Sequence, residues 1–79
     1  MKVPRDVHAS ELIKLLKRYG YIVTRQTGSH IRLSKRLESG DHAITIPNHR
    51  PIKIGTLQAI AKDVCSANKW SIATFYAEL

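Results

Sequence analysis

Tyr21-Ile22-Val23-Thr24-Arg25, then Gln26-Thr27-Gly28-Ser29, then His30-Ile31-Arg32-Leu33-Ser34, has the pattern of two strands joined by a tight turn. Its first five residues are rich in β-branched and aromatic types and predict a strand. Gln26 to Ser29 predict a turn, in which Gly28 supplies a permissive backbone and Ser29 a turn-forming hydroxyl. The last five predict a second strand. Side chains alternate along a strand, so Ile31 and Leu33 share one face, and His30 and Arg32 share the other. With the apolar face packed inward, His30 is presented outward beside a guanidinium. A titratable imidazole next to a fixed positive charge suits the handling of a phosphodiester. A solvated histidine at a strand end is the plainer alternative.

Upstream of this pair, residues 9 to 19 follow helical spacing through Leu12, Ile13, Leu15, Leu16 and Tyr19. Lys17 and Arg18 sit at the negative end of that helix, and Gly20 closes it. Asp6 and Ser10 are both candidate caps. Downstream, Lys35 to Asp41 is polar and predicts a loop broken by Gly40-Asp41. His42 to Ile46 predicts a third strand, stopped by Pro47. Asn48 to Lys53 forms a connection, and Gly55-Thr56 opens a second helix. Leu57, Ile60, Ala61 and Val64 mark its apolar face, which fades near Ser66 to Asn68. Ser71 caps a short terminal helix carrying Ile72, Phe75 and Leu79. The order predicts an α+β fold: helix, three antiparallel strands, helix, and a short extra C-terminal helix. Two amphipathic helices cover only one face of so small a sheet, leaving the other wet.

The chain has 79 residues, enough for one small domain. The whole of residues 1–79 is therefore read as one unit. Its net charge is +7 and its pI about 10.0, which points to a polyanionic partner. No apolar run approaches membrane-spanning length, and the positive charge is spread along the chain instead of forming one amphipathic helix. Nucleic acid is the expected partner class, with no membrane. Met1-Lys2-Val3-Pro4 leads into no signal-type apolar core, and Cys65 is the only cysteine. Both observations fit a cytoplasmic location, with Cys65 a small core residue.

Further stretches carry a resemblance. Glu11-Leu12-Ile13-Lys14-Leu15-Leu16, Gly20-Tyr21 and Arg25-Gln26-Thr27-Gly28-Ser29-His30 are followed by Ile44-Thr45-Ile46-Pro47 with His49. Ile54-Gly55-Thr56-Leu57 and Ile60 complete the series. Together they resemble the HicA-type mRNA interferase toxins of prokaryotic toxin–antitoxin systems, over about residues 8 to 65 by eye. The resemblance implies a fold like double-stranded-RNA-binding domains and endonucleolytic cleavage of single-stranded or messenger RNA. It implies no metal or other cofactor, a catalytic role for His30, and neutralisation by a HicB-type antitoxin. The chain departs from the commonest pattern at Ile31-Arg32, where many members carry further histidines or aromatics. It also carries a tail after Val64.

RNA can be cleaved by attack of a 2′-hydroxyl on its own phosphate. That needs a base, an acid and cations to steady the charged transition state. His30 supplies an imidazole, and Arg25, Arg32 and Lys35 are candidate cations. Ser29 either bonds phosphate or only stabilises its turn. At the start of the second helix, Lys53, Gly55 and Thr56 offer charge, close approach and a hydroxyl to an anion, or serve as an ordinary helix start. His42 and His49 lack the compact spacing of metal ligands, so no metal site is expected. His49, in a loop with Asn48 and Arg50, is either an RNA contact or a solvated residue. His8 reads as a surface residue at a helix start. Two rival readings keep the same basic surface: a non-catalytic RNA-binding module, and a partner protein that serves mainly to bind an acidic antitoxin.

Overall fold

The computed structural model describes residues 2–79. Its first helix, α1 (Ala9–Arg18), buries Ala9, Leu12, Leu15 and Leu16. His8, not Asp6 or Ser10, occupies the cap position, and the Glu11 carboxylate accepts the His8 N–H at 3.1 Å. The helix ends in a paired closure: Gly20 N–H donates to the Lys17 carbonyl at 3.2 Å, and Tyr21 N–H to that of Leu16 at 3.0 Å. This geometry needs a left-handed residue, and Gly20 supplies it at φ 102°.

Three strands follow, β1 (Ile22–Thr27), β2 (His30–Leu37) and β3 (Gly40–Pro47), paired antiparallel in chain order. Gly28 and Ser29 join the first two, and Gly28 adopts φ 55°. A positive φ at the first central position only is the arrangement that lets a two-residue turn match strand twist. The polar stretch from Lys35 to Asp41, expected as a loop, is instead the end of a hairpin. Lys35 faces His42, Arg36 faces Asp41 and Leu37 faces Gly40, so only Glu38 and Ser39 lie outside the ladder. The polar side chains there find partners. Arg36 reaches Asp41 at 4.0 Å, and Lys35 and His42 both bond to neighbouring groups.

One irregularity decides which way β1 points its charge. The register slips between Val23 and Arg25, so that Val23 faces Leu33 while Arg25 faces Arg32. Strict alternation would put Val23 and Arg25 on the same side. The extra residue, Thr24, turns Arg25 to the opposite face, and its hydroxyl donates to the Arg32 carbonyl at 3.3 Å.

Ile31, Leu33, Ile44 and Ile46 form the buried face of the sheet. Against them pack α1 and α2 (Ile54–Asn68), the latter through Leu57, Ile60, Ala61, Val64 and Cys65. Each such buried aliphatic side chain contributes roughly 1.5–3 kcal/mol. The short α3 (Ile72–Ala77) buries Phe75 and Tyr76, and Ser71 caps it by accepting the Thr74 N–H at 3.3 Å. Trp70 stacks near Phe75, with ring centroids 6.4 Å apart, and meets Tyr19, the residue that caps α1, at 4.9 Å. The tail after Val64 therefore completes the core. The uncovered face of the sheet carries His30, Arg32, Arg36 and Thr45, all exposed.

Candidate functional site

His30 begins β2 on the uncovered face, opposite Thr27 on one side and Pro47 on the other. Its position is fixed by the Gly28-Ser29 turn behind it and by a backbone bond in front. The Asn48 N–H donates to the Ser29 carbonyl at 2.6 Å, so the β3 chain stays joined to the turn just past Pro47. His30 is exposed. Arg32 lies two residues along the same face, about 7 Å away by strand rise, and Arg25 is its cross-strand neighbour.

Arg25 and Arg32 are like charges placed directly opposite each other, an arrangement that costs stability on its own. Neither forms an ion pair among the described residues. Their donors rest instead on hydroxyls. Arg25 Nε donates to Thr27 Oγ1 at 3.2 Å, and Arg32 Nη1 reaches Thr45 Oγ1 at 3.5 Å. Two uncompensated guanidiniums beside an exposed imidazole make a surface suited to a phosphate. Ser29 is exposed in the turn, and its hydroxyl has no hydrogen bond among the described residues.

Lys35 does not join this group. It occupies the helix-facing side of β2, with Ile31 and Leu33. Its ammonium donates to Asn68 Oδ1 at 2.9 Å and lies 4.8 Å from the centre of the Trp70 ring. Lys53 occupies the cap position of α2, and Thr56 is half-buried in its first turn. Gly55 lines a groove with Val3, Gln58 and Ile72, on the α3 side. No described groove brings Lys53 or Thr56 together with His30.

His42, too, lies on the helix side. Its Nδ1 is 2.8 Å from the Tyr21 hydroxyl and its Nε2 3.1 Å from Asp63 Oδ1. The Tyr21 hydroxyl also accepts from Asn68 Nδ2 at 2.9 Å. Burial pushes the Tyr21 phenol above its ordinary range, against the opposing effect of the Asn68 hydrogen bond. Among the described residues no cluster of three or more His, Cys, Asp or Glu could hold a metal ion.

One feature escapes a strand-centred reading. A groove of about 330 Å³ runs beside α1, lined by Ser10, Ile13, Lys14, Lys17, Ile31 and Asn48. Ile31 and Asn48 adjoin His30 and its turn, so the groove opens at the same end of the sheet. The signal in the sequence is the spacing of Ser10, Lys14 and Lys17, which places them on one side of a helix. A second cleft, of about 300 Å³, is lined by Tyr19, Trp70 and Phe75 and includes no residue of the sheet.

Among the described residues no helix is long and apolar enough to cross a membrane. No curated protein and no solved structure matches the chain significantly. A family model described as the HicA toxin of bacterial toxin–antitoxin systems matches residues 9–64. That span runs from the start of α1 through the Gly28-Ser29 turn and His30 into α2, and it covers well over half of the sequence. The chain belongs to the HicA toxin family of bacterial toxin–antitoxin systems.

Proposed function

We propose that residues 1–79 act as one metal-independent endoribonuclease unit that cleaves messenger RNA in the cytoplasm, held in check by a HicB-type antitoxin. One observation carries the reading: an exposed imidazole, His30, shares a face with two guanidiniums, Arg25 and Arg32, that no carboxylate among the described residues neutralises. Family membership gives the toxin context.

In the proposed reaction the neutral His30 imidazole accepts the proton of a ribose 2′-hydroxyl. The freed oxygen attacks the adjacent phosphorus, a new O2′–P bond forms, and the P–O5′ bond breaks. The products are a 2′,3′-cyclic phosphate and a 5′-hydroxyl end. Arg25 and Arg32 face the charge that builds on the non-bridging oxygens, and Ser29 adds a hydroxyl donor at the turn. The departing 5′-oxygen needs a proton from a second group. The +7 net charge draws the RNA in, and an acidic antitoxin surface would engage the same arginines.

The test is induction of the parent chain against His30→Ala in cells, scoring growth arrest and RNA integrity, with purified protein assayed in EDTA. The parent is expected to arrest growth and fragment RNA, to work in EDTA, and to be silenced by co-expression of its antitoxin. Full activity in purified His30→Ala would remove the catalytic assignment. RNA binding without cleavage by the parent would leave a binding module.

A further inference from the structure

We propose that His49 is the general acid that protonates the leaving 5′-oxygen, across the phosphodiester from His30. The proposal rests on the ribonuclease reading and supplies its missing proton donor.

Placement is the first argument. Pro47 lies opposite His30 in the β2–β3 register, a separation of about 5 Å between Cα atoms. His49 is two residues further along the same chain, at most about 7 Å beyond Pro47. Side chains of β3 alternate, with Ile44 and Ile46 buried and Thr45 exposed. Past Pro47 the chain leaves the ladder, and Asn48 lines the groove beside α1 with Ile31.

Restraint is the second argument. The Asn48 N–H to Ser29 carbonyl bond, at 2.6 Å, joins the residue before His30 to the residue before His49. His49 N–H donates to the Pro47 carbonyl at 2.8 Å, and the His49 carbonyl accepts the Ala9 N–H at 3.3 Å. Both backbone polar groups of His49 are thus held, while the residue is exposed to solvent. Its side chain makes no hydrogen bond and no ion pair among the described residues. The backbone is thus held while the ring stays free to meet a bound substrate. The ionisable or charged neighbours by position are His30 next to Ser29, Arg50 beside His49 in sequence, and His8 and Glu11 at the start of α1. The Glu11 carboxylate is already engaged by the His8 N–H.

The step balances. His30 takes the 2′-hydroxyl proton and becomes an imidazolium. The O2′–P bond forms as P–O5′ breaks, and the His49 imidazolium gives its proton to O5′. The two histidines end in each other's starting protonation states, and exchange with water resets them.

The experiment compares two RNA oligonucleotides at a cleavage position mapped with the parent chain. One has the natural 5′-oxygen leaving group, and the other has sulfur at that bridging atom, which departs without protonation. His49→Ala is expected to slow cleavage of the oxygen substrate by about 10²–10⁴-fold, and of the sulfur substrate less than about 10-fold. His30→Ala should be slow on both. His49→Gln, which keeps hydrogen bonding without an acidic proton, should behave like His49→Ala, and melting curves should match the parent's. Full oxygen-substrate activity in His49→Ala overturns the proposal. So does an equal loss on both substrates, which would mean a binding role. Failure of the parent to cleave either substrate would instead remove the ribonuclease reading itself.

Discussion

At the residue scale, the Tyr21 hydroxyl sits within a part-buried polar chain. It accepts from Asn68, lies against His42, and through Asn68 connects to the Lys35 ammonium. Burial raises the Tyr21 phenol above its ordinary value of 10.0, and does the same for Tyr76. The Cys65 thiol is likewise raised above 9.0 by burial. A group whose folded pKa is raised contributes stability that is present below its unfolded pKa and lost as pH climbs through the folded value. Urea midpoints should therefore hold steady at neutral pH and fall as pH rises past about 9 to 10. Tyr21→Phe should be less stable than the parent at pH 7 and lose less on going to alkaline pH. A parent midpoint unchanged up to pH 11 would contradict the burial argument. Residue by residue, the outward placement of His30 was legible from alternation after Gly28. The placement of Lys35 was not. Its polar neighbours hid the continuation of β2, and parity then assigns it to the side of Ile31 and Leu33. A lysine is tolerated there only because Asn68 and the Trp70 ring receive its ammonium.

At the scale of elements, α1 hands the chain to β1 through Gly20, whose φ of 102° leaves little choice of residue. A Cβ there would also lie 3.3 Å from Lys35 Cε. Gly20→Ala should cost about 1 kcal/mol or more, since left-handed backbone penalises an L side chain. Chemical denaturation measures this, and an unchanged midpoint would show that the closure relaxes freely. Helices α1 and α2 were legible from their apolar spacing, within a residue or so at most ends. The hairpin end was less so, because Glu38-Ser39-Gly40-Asp41 has loop composition whether or not its flanks stay paired. The slip at Thr24 left no mark in composition either, since it depends on how β1 meets β2. It nonetheless decides that Arg25 shares a face with Arg32. The groove beside α1 and the tie from Asn48 to Ser29 likewise exist only once distant segments meet.

At the scale of the whole molecule, two features oppose each other: a net charge of +7 and a sheet that ends at β1 without a neighbour. The free side of β1 offers backbone donors and acceptors next to Ile22, 65 % exposed, and Val23, 39 % exposed. Such an edge is a template for strand addition by any chain that comes close. Charge repulsion keeps identical copies apart only while it is unscreened, and the screening distance falls from about 10 Å at 0.1 M salt to about 3 Å at 1 M. The free toxin should therefore show colloidal behaviour opposite to ordinary salting-in. Light scattering should report dispersed particles at low ionic strength and growing assemblies as salt is raised, with Ile22→Lys suppressing the growth. Scattering that stays flat in salt, or an Ile22→Lys chain that assembles as readily as the parent, would count against it. If the edge behaves so, it sets a clock on any copy left without a partner: such copies would be withdrawn by one another.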